Sequence, residues 1–238
     1  MRNKIIEKTD IRPLLKDGMS IMIGGFLSVG SAETVIDQVV ASGVKNLTIY
    51  CNDGGLGEKR NKETGELIAG PKGAGKLIAS GQCTTLYATH IGLNPLIGKK
   101  MNTGEMKVVL IPQGSFAEMI RAGGSGLGGI ITPTGVGVDI IEQAEHVYKK
   151  IKLGDKKKKT YLIEKPLHAD LTIIKGAVVD KLGNVYFNKT TQNFSRVMAY
   201  ASDVVVCEAQ KIVERGEIDG NAIHVPGVLV DYIVKEEK

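Results

Sequence analysis

The sequence predicts an α/β protein built on a mostly parallel sheet that is flanked by helices. An apolar run at 19–23, a helical spacing of apolar residues at 32–40 and a second apolar run at 47–50 place strand, helix and strand close together in the chain. The two strands of such a unit pair in parallel through a right-handed crossover. Because similar units recur and neither a linker nor an internal repeat divides the 238 residues, we expect a single domain over residues 1–238.

The first helix is predicted from apolar residues that fall on one helical face. They follow the spacing i, i+3, i+4, i+7 and i+8, at Ala32, Val35, Ile36, Val39 and Val40. Ser31 is a good N-cap residue and Gly43 is a good residue for ending a helix, so we expect the helix to lie between these two positions.

Further apolar runs predict the later strands. Single strands are expected at 83–89, 106–111, 169–180, 184–188 and 201–209. Two alternating runs around a Gly-Asp turn predict a hairpin within residues 146–165.

The segments between these strands divide into two helices and two loops. Helical patterns cover residues 116–123 and 193–202. The glycine-rich residues 124–138 are expected to form an ordered loop. The polar, turn-rich residues 57–75 are expected to form a mobile surface loop.

Composition argues against several classes of function. The net charge is only +5, tryptophan is absent and aromatic residues make up 5%, which is a poor fit to nucleic-acid binding. The three cysteines form no CxxC pair and the four histidines lack HExxH spacing, so we expect no metal site and a reducing compartment. Apolar runs are shorter than ten residues, and the first residues are unlike a signal peptide, so we expect a cytoplasmic protein that does not associate with membranes.

A glycine-rich turn follows the first predicted strand. Gly24, Gly25 and Gly30 fall between that strand and the first helix, where backbone N–H groups and the helix dipole can bind an anion. The spacing matches neither the dinucleotide-binding nor the P-loop pattern, and Glu33 in the first helical turn would repel a phosphate. A tight turn that is needed only for packing explains the glycines equally well.

Polar residues and glycines also follow three other predicted strands. Asn52 and Asp53 follow the run at 47–50, Gln113 and Gly114 follow the run at 106–111, and the sequence HIGLN follows the run at 83–89. Ligands of open α/β sheets bind beyond the carboxyl ends of the strands. Since amide groups there can donate hydrogen bonds to an acyl or carboxylate oxygen, four such strand ends together predict a substrate cleft.

Motifs along nearly the whole chain are shared with one known family. They are DGMSIMIGGFLSVG (17–30), VKNLTIYCND (44–53), HIGLNP with GKKMNTGE (90–105), VVLIPQGSFAEMIRAGGSGLGG (108–129), TPTGVG (132–137), ADLTIIKG with DKLGN (169–184), NF (193–194) and PGVLVDYIV (226–234). In kind, order and length they resemble the α subunits of family I coenzyme A transferases, and within that family those acting on acetate or butyrate with acetoacetate. The chain departs from the family pattern at Ala32, where the family has proline, and at Val138-Asp139, where it usually has a small residue.

The resemblance implies a three-layer α/β fold and assigns candidate site residues. The loop associated with coenzyme A (CoA) would be Gly24, Gly25, Phe26, Leu27, Ser28, Val29 and Gly30. The substrate-binding residues would be Asn52, Asp53, Gln113 and Gly114. CoA would be a substrate, with no tightly bound cofactor.

The resemblance also implies a partner chain. In the family the reaction passes through a glutamate of the β subunit, within a Ser-Glu-Asn-Gly type motif that this chain lacks. Glu33, Glu118 and Glu145 lie in predicted amphipathic helices, where a solvated face is the simpler interpretation. We therefore expect no catalytic residue in this chain and a β subunit in a heterotetramer or larger assembly.

Other classes of function stay open. A phosphosugar- or nucleotide-binding protein on a related fold, which is not a transferase, would bind its ligand without a partner. A self-sufficient isomerase or thioesterase needs its own acid–base pair, for which Asp53 is the candidate at the strand ends. A purely structural partner subunit would contribute no group to a reaction.

Overall fold

A computed structural model describes residues 3–237. In chain order the strands are β1 (Ile5–Ile6), β2 (Ser20–Ile23), β3 (Leu47–Cys51), β4 (Lys59–Arg60), β5 (Leu67–Ala69), β6 (Cys83–Ala88), β7 (Lys107–Leu110), β8 (Ile130–Thr132), β9 (Val147–Leu153), β10 (Lys159–Glu164), β11 (Ala169–Asp180), β12 (Val185–Tyr186), β13 (Ser202–Val213) and β14 (Tyr232–Lys235). The helices are α1 (Glu33–Ser42), α2 (Gly75–Ala79), α3 (Pro95–Asn102), α4 (Gln113–Gly124), α5 (Asp139–Glu142) and α6 (Ser195–Met198). Short 3-10 helices lie at Lys8–Leu14, Lys189–Gln192, Gly220–Ala222 and Gly227–Leu229.

The central sheet has nine strands and is almost entirely parallel. Its order is β1-β14-β13-β11-β2-β3-β6-β7, with β12 pairing beside β11. Every pair along this order is parallel, and β12 is antiparallel to β11. The predicted α/β class with a mostly parallel sheet is therefore confirmed.

Helices cover both faces of this sheet, which makes the fold three-layered. Ile21 and Ile23 of β2 belong to a core cluster that includes buried residues of α1, α2 and α3. Met22, between them, belongs to a second cluster with buried residues of α4 and α6. Successive side chains of a strand point to opposite faces, so a strand covered on both faces needs a continuous apolar run, as residues 21–23 provide.

The first helix begins and ends for different physical reasons. Gly43 has a φ of 73° just after α1, so its predicted role in ending the helix is confirmed. The predicted N-cap was wrong, because Ala32 occupies that position and the Ser31 hydroxyl instead donates to the Gly24 carbonyl at 3.4 Å. The cap is supplied from elsewhere in the chain, since the Val35 N–H donates to Glu208 Oε2 at 3.1 Å.

The fourth helix begins three residues before the predicted range of 116–123. Pro112 is its N-cap, and the Phe116 N–H donates to the Pro112 carbonyl at 2.9 Å. Gly114 has low helix propensity, which is why the sequence pattern missed this turn. Gln113 is consequently the first residue of a helix rather than part of a loop.

Three other predicted segments differ from the structure. The glycine-rich residues 124–138 are not all loop, because β8 pairs with β10 and joins the confirmed hairpin β9–β10 in a second, three-stranded sheet. Residues 57–75 contain the antiparallel pair β4–β5. The helix predicted at 193–202 is reduced to α6, since β13 begins at residue 202. Strand β8 and the start of β13 form because they pair with strands distant in the sequence, which a local sequence pattern does not indicate.

Two further features of the fold concern its helices and its cysteines. Within residues 3–237, no helix is long and apolar enough to cross a bilayer. The three cysteines are free and buried, and burial raises the pKa of Cys83 and of Cys207 to about 12. A thiol with so high a pKa is a poor nucleophile at neutral pH.

Candidate functional site

Four neighbouring strands end side by side at one edge of the sheet. They are β2, β3, β6 and β7, which are adjacent in the strand order. Their carboxyl ends lead into the glycine loop, Asn52-Asp53, Thr89 and Gln113 respectively. The structure thus brings together the strand ends that the sequence analysis predicted to form a cleft.

A chain of hydrogen bonds joins these strand ends. Gln113 Nε2 donates to Asn52 Oδ1 at 2.7 Å, and Asn52 Nδ2 donates to Asp53 Oδ2 at 2.9 Å. The Leu27 N–H donates to the same Asp53 oxygen at 2.8 Å. From β6, Thr89 Oγ1 donates to the Asn52 carbonyl at 2.8 Å. The connected groups therefore run from the helix α4, through β3, to the glycine loop.

Burial separates these residues into two kinds. Asn52 and Asp53 are only 2% and 5% exposed, so their polar groups face the protein. Gln113 and Gly114 are exposed at the start of α4. One amide hydrogen of Gln113 is committed to Asn52, which leaves the second hydrogen and the carbonyl oxygen of the side chain free to meet a ligand.

The tip of the glycine loop is a tight two-residue turn. The Phe26 N–H donates to the Val29 carbonyl at 3.1 Å, and the Val29 N–H donates to the Phe26 carbonyl at 2.9 Å. Leu27 and Ser28 between them have positive φ values of 50° and 62°, as in a type I′ turn. Phe26, Leu27 and Val29 are exposed at this tip, so apolar side chains face the solvent beside the cleft.

The glycines of the loop are required by packing. Gly25 is buried with a φ of +128°, and a Cβ atom there would lie 2.4 Å from Ser31 Oγ. At Gly30 the φ is +83°, and a Cβ atom would lie 2.9 Å from the Thr191 carbonyl oxygen. No L-residue side chain fits these positions without strain, which favours the packing interpretation of the glycines.

Most N–H groups of this loop already have partners. Gly24 donates to the Ile173 carbonyl, and Gly25 donates to Asn193 Oδ1. The turn bonds and the bond to Asp53 use three more. Among the described residues, Ser28 and Gly30 are the loop positions whose N–H groups make no hydrogen bond. A ligand would therefore meet two backbone donors here.

The expected anion site at the start of α1 is occupied by the chain itself. The carboxylate of Glu208, on β13, accepts the Val35 N–H and lies 3.3 Å from Lys175 Nζ. Glu208 has no exposure, and burial raises the pKa of its carboxyl group against the opposing effect of Lys175. A distant side chain of the chain itself therefore fills this helix end, which favours the packing interpretation of the glycine turn over the anion-binding one.

Beside the loop lies a cavity of about 450 Å³ with several charged groups. Its wall includes Ser28, Gly30, Lys72, Lys76 and Lys175. Lys76 pairs with Glu33 at 2.7 Å and with Asp37 at 2.6 Å. Burial acts to lower the pKa of Lys76, but the hydrogen bonds to the two carboxylates outweigh burial and raise it. Lys76 therefore stays charged, and its ion pair with Glu33 weakens the predicted repulsion of a phosphate by Glu33.

Sequence reasoning missed these lysines and Asn193. The lysines come from separate parts of the chain, so no single local motif contains all three, although Lys175 lies within the motif ADLTIIKG. Asn193 holds the loop from both sides, since its Oδ1 accepts the Gly25 N–H at 3.1 Å and its Nδ2 donates to the Val29 carbonyl at 3.0 Å. The short motif NF at 193–194 was a signal for this residue, although nothing in the sequence indicated its partner.

The other glutamates that the sequence analysis considered are held in ion pairs at the surface. Glu118 pairs with Arg121 at 2.7 Å, and Glu145 pairs with Lys107. Asp53 accepts three hydrogen bonds and is nearly inaccessible. Within residues 3–237, no group of three His, Cys, Asp or Glu side chains could hold a metal ion.

A protein-family model described as coenzyme A transferase matches residues 8–236. The chain is 43% identical over 236 residues to the acetoacetyl-CoA:acetate/butyrate CoA transferase alpha subunit of Clostridium acetobutylicum, with 99% of each chain covered. It is 37% identical over 238 residues to the acetate CoA-transferase subunit alpha of Escherichia coli K12, covering 100% of this chain and 99% of the relative.

A solved structure has the same fold. The acyl-CoA transferase of E. coli O157:H7, determined as a thioester complex with CoA, superposes with a TM-score of 0.79 at 19% identity. The match covers 99% of this chain and 50% of that chain, so the present chain spans half of its length.

Proposed function

The chain belongs to the coenzyme A transferase family, and we propose that it is the α subunit of an enzyme that moves CoA between a short-chain acyl-CoA and a free carboxylate. Acetoacetate, acetate and butyrate are the proposed carboxylates. The relative from C. acetobutylicum, which is similar over its whole length, carries these acids in its name. The family match disagrees with the alternative of a phosphosugar- or nucleotide-binding protein that is not a transferase.

The observation that carries this proposal is the hydrogen-bonded chain across the strand ends. Gln113 is exposed at the start of α4, and its amide is oriented by the buried Asn52. A fixed amide donor at this edge can bind the oxygen of an acyl group or a carboxylate. The adjacent loop tip, with Phe26, Leu27 and Val29 exposed, is the proposed contact for CoA.

The nucleophile is proposed to come from a β subunit. A glutamate carboxylate of that subunit would attack the thioester carbonyl and release the CoA thiolate, which forms an acyl-glutamyl anhydride. The thiolate then attacks the glutamyl carbonyl, releasing the first carboxylic acid as its carboxylate and forming a glutamyl-CoA thioester. A second carboxylate reverses these steps. The ion pairs of Glu33, Glu118 and Glu145 support a nucleophile from outside this chain.

This assignment includes an assembly and a setting. We propose a heterotetramer or larger complex of α and β subunits in the cytoplasm, with CoA as a substrate and no tightly bound cofactor. The names of both relatives as alpha subunits support a β partner.

Co-expression with the candidate β subunit tests the proposal. CoA transfer from acetyl-CoA to acetoacetate or butyrate, which releases acetate, is measured for the purified chain alone, for the partner alone and for the complex. We expect turnover by the complex only. Turnover by the highly purified chain alone would refute the assignment of the nucleophile to the partner, and no transfer by a well-folded complex would refute the proposed reaction.

A further inference from the structure

We propose that Asp53 is a positioning residue that holds the Leu27-Ser28 turn in its observed conformation and connects it to Gln113. This inference rests on the proposed function. It differs from the expectation that Asp53 touches substrate. One buried carboxylate would then determine both the conformation of the loop that contacts CoA and the orientation of the amide that contacts the acyl or carboxylate oxygen.

The turn needs outside support because its sequence does not favour its conformation. Type I′ turns require positive φ at both central residues, and Asn-Gly is the preferred pair. Here the pair is Leu27 and Ser28, at φ values of 50° and 62°. Leucine in this region is strained, and such strain persists only where surrounding contacts enforce it.

Asn193 holds the two ends of the loop, and Asp53 supplies the contact within the turn itself. Its Oδ2 accepts the Leu27 N–H at 2.8 Å, in the middle of the turn. The carboxylate itself is fixed, because Oδ1 accepts the Gly55 N–H at 3.1 Å and Oδ2 also accepts Asn52 Nδ2 at 2.9 Å. Three N–H donors thus surround a carboxylate that is 5% exposed, which leaves a substrate no access to it.

The same carboxylate also determines the orientation of Gln113. Because Asn52 Nδ2 is bound to Asp53, Asn52 Oδ1 must point the other way, where it accepts Gln113 Nε2 at 2.7 Å. Loss of the Asp53 acceptor leaves Asn52 in contact with Gln113 and with the Thr89 hydroxyl, which lies 3.2 Å from Asn52 Oδ1. Because a hydroxyl can accept as well as donate, it does not prevent the Asn52 amide from turning over, and a reversed amide would present a donor to the Gln113 donor. The structure therefore couples the two ends of the site through Asp53.

The first experiment is a double-mutant cycle in the complex with the β subunit. Asp53→Ala, Gln113→Ala and the double variant are compared with wild type by kcat/KM for acyl-CoA and for the carboxylate. We expect Asp53→Ala to lower kcat/KM for acyl-CoA about ten- to a hundredfold, as misplacement of binding groups does. For the carboxylate, the kcat/KM of the double variant should be about as low as that of the worse single variant. The two effects do not multiply, because Asp53 and Gln113 act through the same hydrogen bonds to Asn52.

Asp180 offers a matched control. It is 1% exposed, and its carboxylate accepts the N–H groups of Leu182 and Asn184 at 2.9 Å and the Asn184 amide at 2.8 Å. This carboxylate has the same kind of surroundings, at the end of β11, where it accepts from the turn that leads to β12. Asp180→Ala should lower the melting temperature without the fall in kcat/KM for acyl-CoA that is expected of Asp53→Ala.

A rescue experiment separates positioning from direct contact. In a Leu27→Asn/Ser28→Gly background the turn favours its own conformation, so Asp53→Ala should cost at least about threefold less in kcat/KM than it does with the natural turn. Within that background both proteins lack the Leu27 side chain, so the effect of removing this side chain cancels. A direct contact between Asp53 and substrate would not be rescued.

The outcomes separate this proposal from the function on which it rests. A wild-type complex that transfers no CoA refutes the function. An active wild-type complex in which Asp53→Ala behaves like Asp180→Ala, or in which the losses multiply and the turn gives no rescue, refutes the role of Asp53. If Asp53→Ala does not assemble, Asp53→Asn carries the same measurements, because it keeps the size but must turn a donor toward one of the three N–H groups.

Discussion

The single hydrogen bond between Gln113 and Asn52 determines how each amide can be used. Asn52 is buried and both of its side-chain polar atoms are engaged, so it cannot also serve a ligand. Gln113 keeps one amide hydrogen free at an exposed position. The direct contact with substrate is therefore expected from Gln113.

Replacing Gln113 with alanine tests this division of roles. Losing a donor that acts on the transition state costs about 10²–10³ in kcat, whereas losing one that only positions substrate costs less. We expect Gln113→Ala to lower kcat/KM for the carboxylate about tenfold, mainly by raising KM for the carboxylate. Gln143→Ala, at an exposed glutamine that follows α5, is the control. An unchanged KM for the carboxylate with weakened CoA binding would move Gln113 out of the acyl site.

The buried Glu164 gives a pH dependence of known sign. It has no exposure, and burial raises the pKa of its carboxyl group while the Ser115 hydroxyl partly opposes this. The folded chain therefore favours the protonated form. That stabilisation is complete below the ordinary pKa of glutamic acid and is lost as the pH rises through the raised value.

We expect Glu164→Gln, which cannot ionise, to match wild type in acid and to melt at a higher temperature near neutral pH. Melting curves between about pH 3 and pH 8, which extend below the ordinary pKa of glutamic acid, measure the difference. Glu142→Gln is a control of opposite sign, because the Gly137 N–H and Lys150 lower the pKa of Glu142. Glu142→Gln should melt at a lower temperature than wild type near neutral pH, and this difference should disappear in acid. A difference for Glu164→Gln that shrinks as the pH rises would contradict the prediction.

At the scale of the elements, the loop after β2 combines a packing role with an exposed tip. Gly24 and Gly25 are buried, whereas Phe26 and Leu27 are exposed. The glycines therefore support the loop, and its tip is the part that can meet a ligand.

Gly25→Val separates backbone strain from function. The variant places a branched side chain at a φ of +128° and within 2.4 Å of Ser31 Oγ, so we expect lower stability and a lower kcat/KM for acyl-CoA. Gly18→Val is the matched control, since Gly18 has a φ of +77° with no atom within 4 Å of its Cβ position. It should lose stability alone. Near-normal kinetics for Gly25→Val would leave that glycine with a packing role only.

The elements also show what the sequence could and could not predict. The periodicity of Val35, Ile36 and Val39 identified α1, because burial of one helical face is a local pattern. Its start was misplaced because the carboxylate that caps it, Glu208, lies 173 residues away. The family resemblance is confirmed by the matching family model. The sequence motifs could indicate which strand ends form the site, but not which amide donates to which.

At the scale of the whole molecule, half of the sheet is local in sequence and half is not. Among the strands of the large sheet, β2, β3, β6 and β7 follow one another in the chain, and they lie side by side in the sheet in the same order. In contrast, β2 lies against β11, where Ser20 and Asp170 are 150 residues apart and share a hydrogen bond of 2.6 Å. Ile5 of β1 pairs with Ile233 of β14. Long loop closures are slow, so these pairs should form last.

Folding kinetics of two matched variants test this order. Ile49 on β3 and Ile233 on β14 are both fully buried, and Ile→Val at such a position costs about 0.5–1.5 kcal/mol. If the pairs that are local in sequence form the folding nucleus, Ile49 belongs to the nucleus and Ile233 does not. We therefore expect Ile49→Val mainly to slow refolding and Ile233→Val mainly to speed unfolding. Stopped-flow refolding and unfolding of the chain provide the rates. Slower refolding of Ile233→Val together with faster unfolding of Ile49→Val would place the folding nucleus at β14 instead.

The pairing of β2 with β11 has a consequence while the protein is being synthesised. A nascent chain that has emerged through α4 already holds β2, β3, β6 and β7, and these strands can assemble with their helices. The free edge of β2 then stays open until residues 171–173 leave the ribosome to cover it. During that interval the growing chain presents an unpaired, apolar strand to other nascent chains, which makes it a client for chaperones. Slow codons placed before β11 would lengthen this exposure, and slow codons placed after β11 would not.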